Sequence, residues 1–182
     1  MLAGRSLSAV RGKEPGAEGS IKDFMASKRR IIRERVLQAL YAHELSHNPV
    51  AAIIETVLED LKKDPATFDF ARSLVQRVID AEDELDTLIK KKVANWEFNR
   101  LAVIDRVILR ICICELLYFE DIPPKVSINE AIEIARRYST EKSDKFVNGV
   151  LDSVLDDLKK NGKLKKTGRG LLETAGRKNP AS

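Results

Sequence analysis

The stretch NRLAVIDRVILRICICELLYFE, residues 99–120, is apolar around most of its circumference at helical spacing. A helix that is hydrophobic nearly all round cannot rest on a surface; it needs neighbours on every side and belongs at the centre of a domain. It carries too many charges to span a membrane, and no part of the chain reaches the roughly 18 uncharged apolar residues that a span requires. The chain must therefore supply a layer of other helices to enclose it.

It does. Ser27 is placed to cap a first helix, SKRRIIRERVLQALYAHELS, whose apolar stripe includes Ile32, Val36, Ala39 and Leu40. Asn48-Pro49 opens a second, with Ile54, Val57, Leu58 and Leu61 on one face. Asp64-Pro65 repeats the punctuation before residues 66–93, one long helix or two if the acidic AEDELD segment breaks it. Pro123-Pro124 stops the central helix. Ser127-Ile128-Asn129-Glu130 then has the form of a capping box, with Val126 and Ala131 as a hydrophobic staple. A last helix opens near Ser143 and buries Val147, Val150, Leu151, Val154 and Leu158. Gly149 inside it costs about 1 kcal/mol relative to alanine, which implies close helix packing there. No strand and no repeat is evident. The expected fold is all-α, about seven helices in two packed helical subdomains over 27–96 and 97–160. A disordered extension (1–26) and a disordered basic tail (161–182) are expected at the ends.

Charge is segregated along this layout. Residues 1–35 carry nine Lys/Arg against four Asp/Glu, and residues 159–182 carry eight against one. With a total of +4, the remaining body must be −8. Basic ends on an acidic body suit an anionic polymer at the ends and a different partner on the body. The only cysteines, Cys112 and Cys114, point to opposite sides of the central helix and read as small buried hydrophobes in a reducing compartment. The N-terminus has no hydrophobic signal core, so the cytoplasm is the expected location.

One motif suggests an enzyme. His43-Glu44-Leu45-Ser46-His47 matches H-E-x-x-H, in which two imidazoles one helical turn apart hold zinc. Here His47 is followed at once by Asn48-Pro49, no third histidine exists, and no strand is available to align a substrate. The pattern reads as coincidence, and no metal, cofactor or catalytic residue is expected. No glycine-rich phosphate loop and no activated serine appear either.

Two stretches resemble one family. RRIIRERVLQALYAHELS is similar to the first helix of the NusB family of bacterial transcription antitermination factors. IDRVILRICICELLYFEDIPPKVSINEAIEIARRYSTEKSDKFVNGVLD resembles that family more strongly, with IDR, ELLY, DIPPKV, INEAIE and KFVNGVLD in order and in register. Asn95-Trp96 looks like the family's join between subdomains. The resemblance implies a non-enzymatic protein that binds single-stranded boxA RNA. It also implies pairing with NusE, a small-subunit ribosomal protein, and membership of a transcription elongation complex that suppresses termination, notably in ribosomal RNA operons. A related alternative is the helical RNA-binding domain of ribosomal RNA cytosine methyltransferases, acting without catalysis.

Carried over residue by residue, the resemblance places Arg29, Arg30 and Arg33 on RNA, with Phe146 at the RNA site and Tyr41 near both RNA and partner. It places Asp105 towards NusE. The residues themselves support part of this. Lys28, Arg29, Arg30 and Arg33 crowd what reads as the positive end of a helix dipole, where an anionic ligand would relieve them. Asp105, Arg106 and Arg110 share one arc of the central helix, the strip expected to reach the surface and meet a partner.

Overall fold

The computed structural model describes residues 17–93 and 98–171, with side chains described from Lys28 onward. Among these residues it is all-α, with seven helices and no strand. They are α1 (Ala17–Ser46), α2 (Val50–Val57), α3 (Pro65–Asp80), α4 (Glu82–Lys92), α5 (Val103–Tyr118), α6 (Pro124–Tyr138) and α7 (Ser143–Lys160). None is long and apolar enough to cross a membrane. The proposed join at Asn95-Trp96 lies outside the described residues.

The all-round apolar segment is α5, and its surroundings are what its composition requires. It is packed by α1, α3, α4, α6 and α7. Its side chains from Val107 to Leu116 are all buried, Cys112 and Cys114 among them as free thiols. Burial of both thiols raises their pKa, which keeps them protonated and inert. One continuous core runs from Ile32 and Val36 of α1 through Leu74 and Leu85 to Leu158 of α7.

Several stops fall where the punctuation indicates. Asp64 caps α3 by accepting from the Thr67 amide, with Pro65 as the first helical residue. The 66–93 stretch is two helices, broken at Ala81. Other local expectations fail. The first helix does not start at Ser27 but continues back to Ala17, into the segment expected to be disordered. Asn48 makes no side-chain cap; Pro49 stands at the N-cap of α2. Ser127-Ile128-Asn129-Glu130 is not a capping box, because α6 begins a turn earlier at Pro124. Ser127 and Glu130 are instead buried and bonded to other helices. Part of the basic tail, residues 161–171, also folds back onto the body.

Gly149 is exposed, and a Cβ added there meets nothing within 4 Å, so close packing does not explain it. Gly149→Ala should then stabilise the fold by about 0.5–1 kcal/mol through backbone entropy alone. A urea midpoint that fails to rise would show a constraint at this position other than packing.

Candidate nucleic-acid interface

Lys28, Arg29, Arg30 and Arg33 lie in the middle of α1, not at its start, because the helix begins eleven residues before Lys28 at Ala17. At 1.5 Å per residue the positive end of the dipole is about 16 Å away, too far for its field to act on them. The helix dipole therefore does not favour an anion at this spot, and each side chain acts through its own contacts.

They divide sharply. Arg33 is 3 % exposed and grips Glu115 of α5 with two bonds, Nε to Oε1 at 2.7 Å and Nη2 to Oε2 at 2.9 Å. Ser127 of α6 donates to the same Oε2 at 2.6 Å, and the Arg33 guanidinium lies 5.9 Å from the Phe70 ring centroid. Burial opposes the Arg33 charge, but Glu115 outweighs it and holds the guanidinium above its ordinary pKa. Arg33 is thus a brace between α1 and α5 and is not available to RNA, contrary to expectation. A buried bidentate pair of this kind fixes geometry more than it adds stability.

The other three remain at the surface. Lys28 Nζ meets Asp64 at 2.5 Å, both side chains being 44 % exposed. That bond and two from Thr67 pull Asp64 to about 2. Arg30 donates from Nε to the buried Glu130 of α6 at 3.1 Å and keeps a side chain 36 % exposed. Arg29 is half-buried, with a buried Nε that has no hydrogen-bond partner.

Around them the fold gathers cations that the sequence reading did not single out. Arg137 of α6, largely exposed, donates to Glu34 of α1 at 2.8 Å and stacks on Tyr138 at 5.4 Å. Arg136 reaches Asp144 at the start of α7. Lys142 and Lys145 are exposed beside it, and Phe146 is half-buried against the core. Three cross-helix pairs (Arg30–Glu130, Arg137–Glu34, Arg136–Asp144) therefore join α1, α6 and the α7 start into one charged face with Tyr138 within it, whose cations outside these ion pairs are Arg29, Lys142 and Lys145. The available signal was the dipeptide Arg136-Arg137 before Tyr138; only the packing of α6 on α1 shows which side it faces.

The expected partner strip on α5 fares differently. Asp105 is 7 % exposed, accepts from Ser143 Oγ at 2.9 Å through Oδ2, and has a buried Oδ1 without a partner. Arg110 is buried between Glu44, Glu82 and Asp86. Arg106 pairs with Glu44 and lies 5.5 Å from the Phe98 ring, its side chain 13 % exposed. The charged stripe exists but faces α1, α4 and α7 rather than solvent. Exposed positions on this side of α1 are Tyr41 and, one turn on, Leu45.

The H-E-x-x-H pattern has no zinc geometry. α1 ends at Ser46, and His47 lies beyond it in left-handed backbone, φ +53°. Its imidazole is therefore off the helical face of His43, whose Nδ1 lies 3.1 Å from the Asn48 carbonyl oxygen. Glu44, the would-be general base, is held by Arg106 and Arg110. Those arginines lower its pKa against the opposing effect of burial.

Comparison with known proteins agrees with this architecture. Residues 30–156 match the model of the NusB family. The chain is 47 % identical over 155 residues to "Transcription antitermination protein NusB" of Chloroherpeton thalassium, covering 85 % of this chain and 74 % of that one. A solved T. maritima NusB is similar over 71 % of this chain and 91 % of its own, at 41 % identity and a TM-score of 0.67. A structure of NusB and NusE in complex with double-stranded RNA is similar at 25 % identity and a TM-score of 0.65, over 72 % of this chain and 98 % of that one.

Proposed function

Because this chain belongs to the NusB family, we propose that it is a non-catalytic RNA-binding antitermination factor. It binds boxA-type single-stranded RNA together with NusE, within a transcription elongation complex that suppresses termination in ribosomal RNA operons. The observation that carries this reading is the face on which three helices gather Arg29, Arg30, Arg136, Arg137, Lys142 and Lys145, the arginines at 30, 136 and 137 cross-braced by acids and the other three cations outside those ion pairs. Such a face follows a phosphate backbone without selecting a sequence. Base selection falls to Tyr138, Phe146 and Tyr41, since single-stranded bases are read by stacking and edge contacts. The similar structure of NusB and NusE with double-stranded RNA supports RNA and NusE as partner classes.

Tyr41 and Leu45, exposed one turn apart on α1, are the apolar anchors offered to NusE, with the Arg106 edge beside them. Asp105 acts behind this surface by bracing α7.

The test is RNA binding by the purified protein with and without NusE, using boxA RNA, a scrambled strand and a duplex. Binding should be weak alone, tighter with NusE, and strongest for boxA. Arg29→Ala with Arg30→Ala should lower the log–log salt slope by about 1.4, at roughly 0.7 per phosphate contact on a single strand. Equal affinity for boxA and the scrambled strand in the presence of NusE would refute the boxA assignment.

A further inference from the structure

The tail after α7 turns back at Gly162, whose φ of +63° is the left-handed conformation that a glycine C-cap supplies. The Gly162 amide donates to Lys159 O at 3.2 Å and the Lys163 amide to Leu158 O at 2.9 Å, the paired bonds of a Schellman turn. From there the segment lies against the end of α5. Lys166 is 8 % exposed, and its Nζ donates to the Glu115 carbonyl at 3.0 Å and the Phe119 carbonyl at 2.9 Å. Both oxygens already accept a main-chain amide, from Phe119 and Ile122, so the ammonium is a second donor that meets the negative end of the helix dipole. The Thr167 amide donates to Glu120 O at 3.0 Å, and Gly170 is pressed so close that a Cβ would come within 2.1 Å of that same oxygen. This contact is built, with a cation, a main-chain bond and an obligatory small residue.

Its location matters as much as its fit. Glu115 holds Lys166 through its carbonyl and Arg33 of α1 through its carboxylate, so the segment is anchored beside the basic stretch of α1. Lys163, Lys165 and Arg169 are exposed on it, and Arg177 and Lys178 follow in the sequence. Burial disfavours the Lys166 charge, and the acids Glu115, Asp121 and Glu120 oppose that effect.

We propose that residues 163–169 form a second phosphate-binding arm for RNA, docked by Lys166 onto the α5 end so that it continues the basic face of α1. This rests on the RNA-binding reading above. Docking matters because a pre-positioned cation loses less freedom on binding than one on a loose tail.

The experiment uses the full chain and two RNA oligonucleotides of equal length, boxA and scrambled, titrated across a salt series. Lys163→Gln, Lys165→Gln and Arg169→Gln together should cut the log–log slope by about two units. The loss should be the same for both RNAs, because phosphate contacts carry no sequence information. Lys166→Met and Gly170→Ala undock the arm by separate routes. Each should speed proteolysis within 161–171 and weaken RNA binding several-fold while circular dichroism stays unchanged. An unchanged slope in the triple variant, with wild type binding normally, overturns the arm. Wild-type affinity in both undocked variants overturns the docking. Failure of the wild-type chain to bind either RNA would instead remove the RNA reading on which the arm depends.

Discussion

Arg33→Ala should lose about 3–5 kcal/mol of stability, the usual cost of removing one partner from a buried ion pair. The residue left behind explains the size. Glu115 is fully buried, and without Arg33 its carboxylate keeps only the Ser127 hydroxyl. For a chain of this length each kcal/mol moves the melting temperature by about 2–4 °C, so a drop on the order of 10 °C is expected by circular dichroism. Arg33→Met combined with Glu115→Leu should recover most of it, since a well-packed apolar pair often replaces a buried ion pair without loss. The RNA salt slope of Arg33→Ala, measured below its melting temperature, should match wild type. A wild-type melting temperature with a reduced slope would return Arg33 to the RNA surface and sink its assignment as a brace.

The same residue shows what the sequence could and could not disclose. The position of α5 at the centre was legible because all-round apolar character at helical spacing has one solution in water. The cap of α3 was legible because Asp64 and Pro65 act within one turn. Arg33 and Glu115 are separated by 82 residues, and nothing local marks an arginine as facing a carboxylate rather than solvent. The stripe of Asp105, Arg106 and Arg110 failed as a surface marker for the same reason. Periodicity places charges on one arc but does not say whether water or an oppositely charged helix lies opposite. Ser127 and Glu130 have capping-box spacing, yet tertiary partners on α5 and α1 claim both side chains. The docking of Lys166 was hidden by composition, because a run of lysines and glycines reads as solvated whatever one of its members does. The resemblance to the NusB family supplied the expected RNA residues; packing then buries Arg33 and sets Arg136, Arg137 and Tyr138 beside the others on the face proposed for RNA.

Asp105→Arg should be the most damaging single change at the expected partner strip, and through folding rather than through lost recognition. Asp105 sits in the first turn of α5 and accepts from Ser143, which is itself 2 % exposed at the start of α7 and bonded to Ser139 and Thr140. One carboxylate thus lies at two helix N-termini, where negative charge is favourable. Reversing its sign places a larger cation at those two positive helix ends, in a space that holds a carboxylate. A buried unpaired charge ranks among the costliest substitutions, so a loss of about 4 kcal/mol or more is expected. Against a typical total of about 5–15 kcal/mol, this leaves the urea transition early and broad. Asp105→Asn separates folding from recognition, because its amide oxygen can still accept from Ser143. It should cost only about 1 kcal/mol for the weakened hydrogen bond and the lost charge at the helix start. Titrated with NusE, the Asp105→Asn protein should bind as wild type does, since the side chain acts beneath the surface. A variant as stable as wild type that no longer binds NusE would show that the partner reads Asp105 directly, which would require the α5–α7 junction to open on binding.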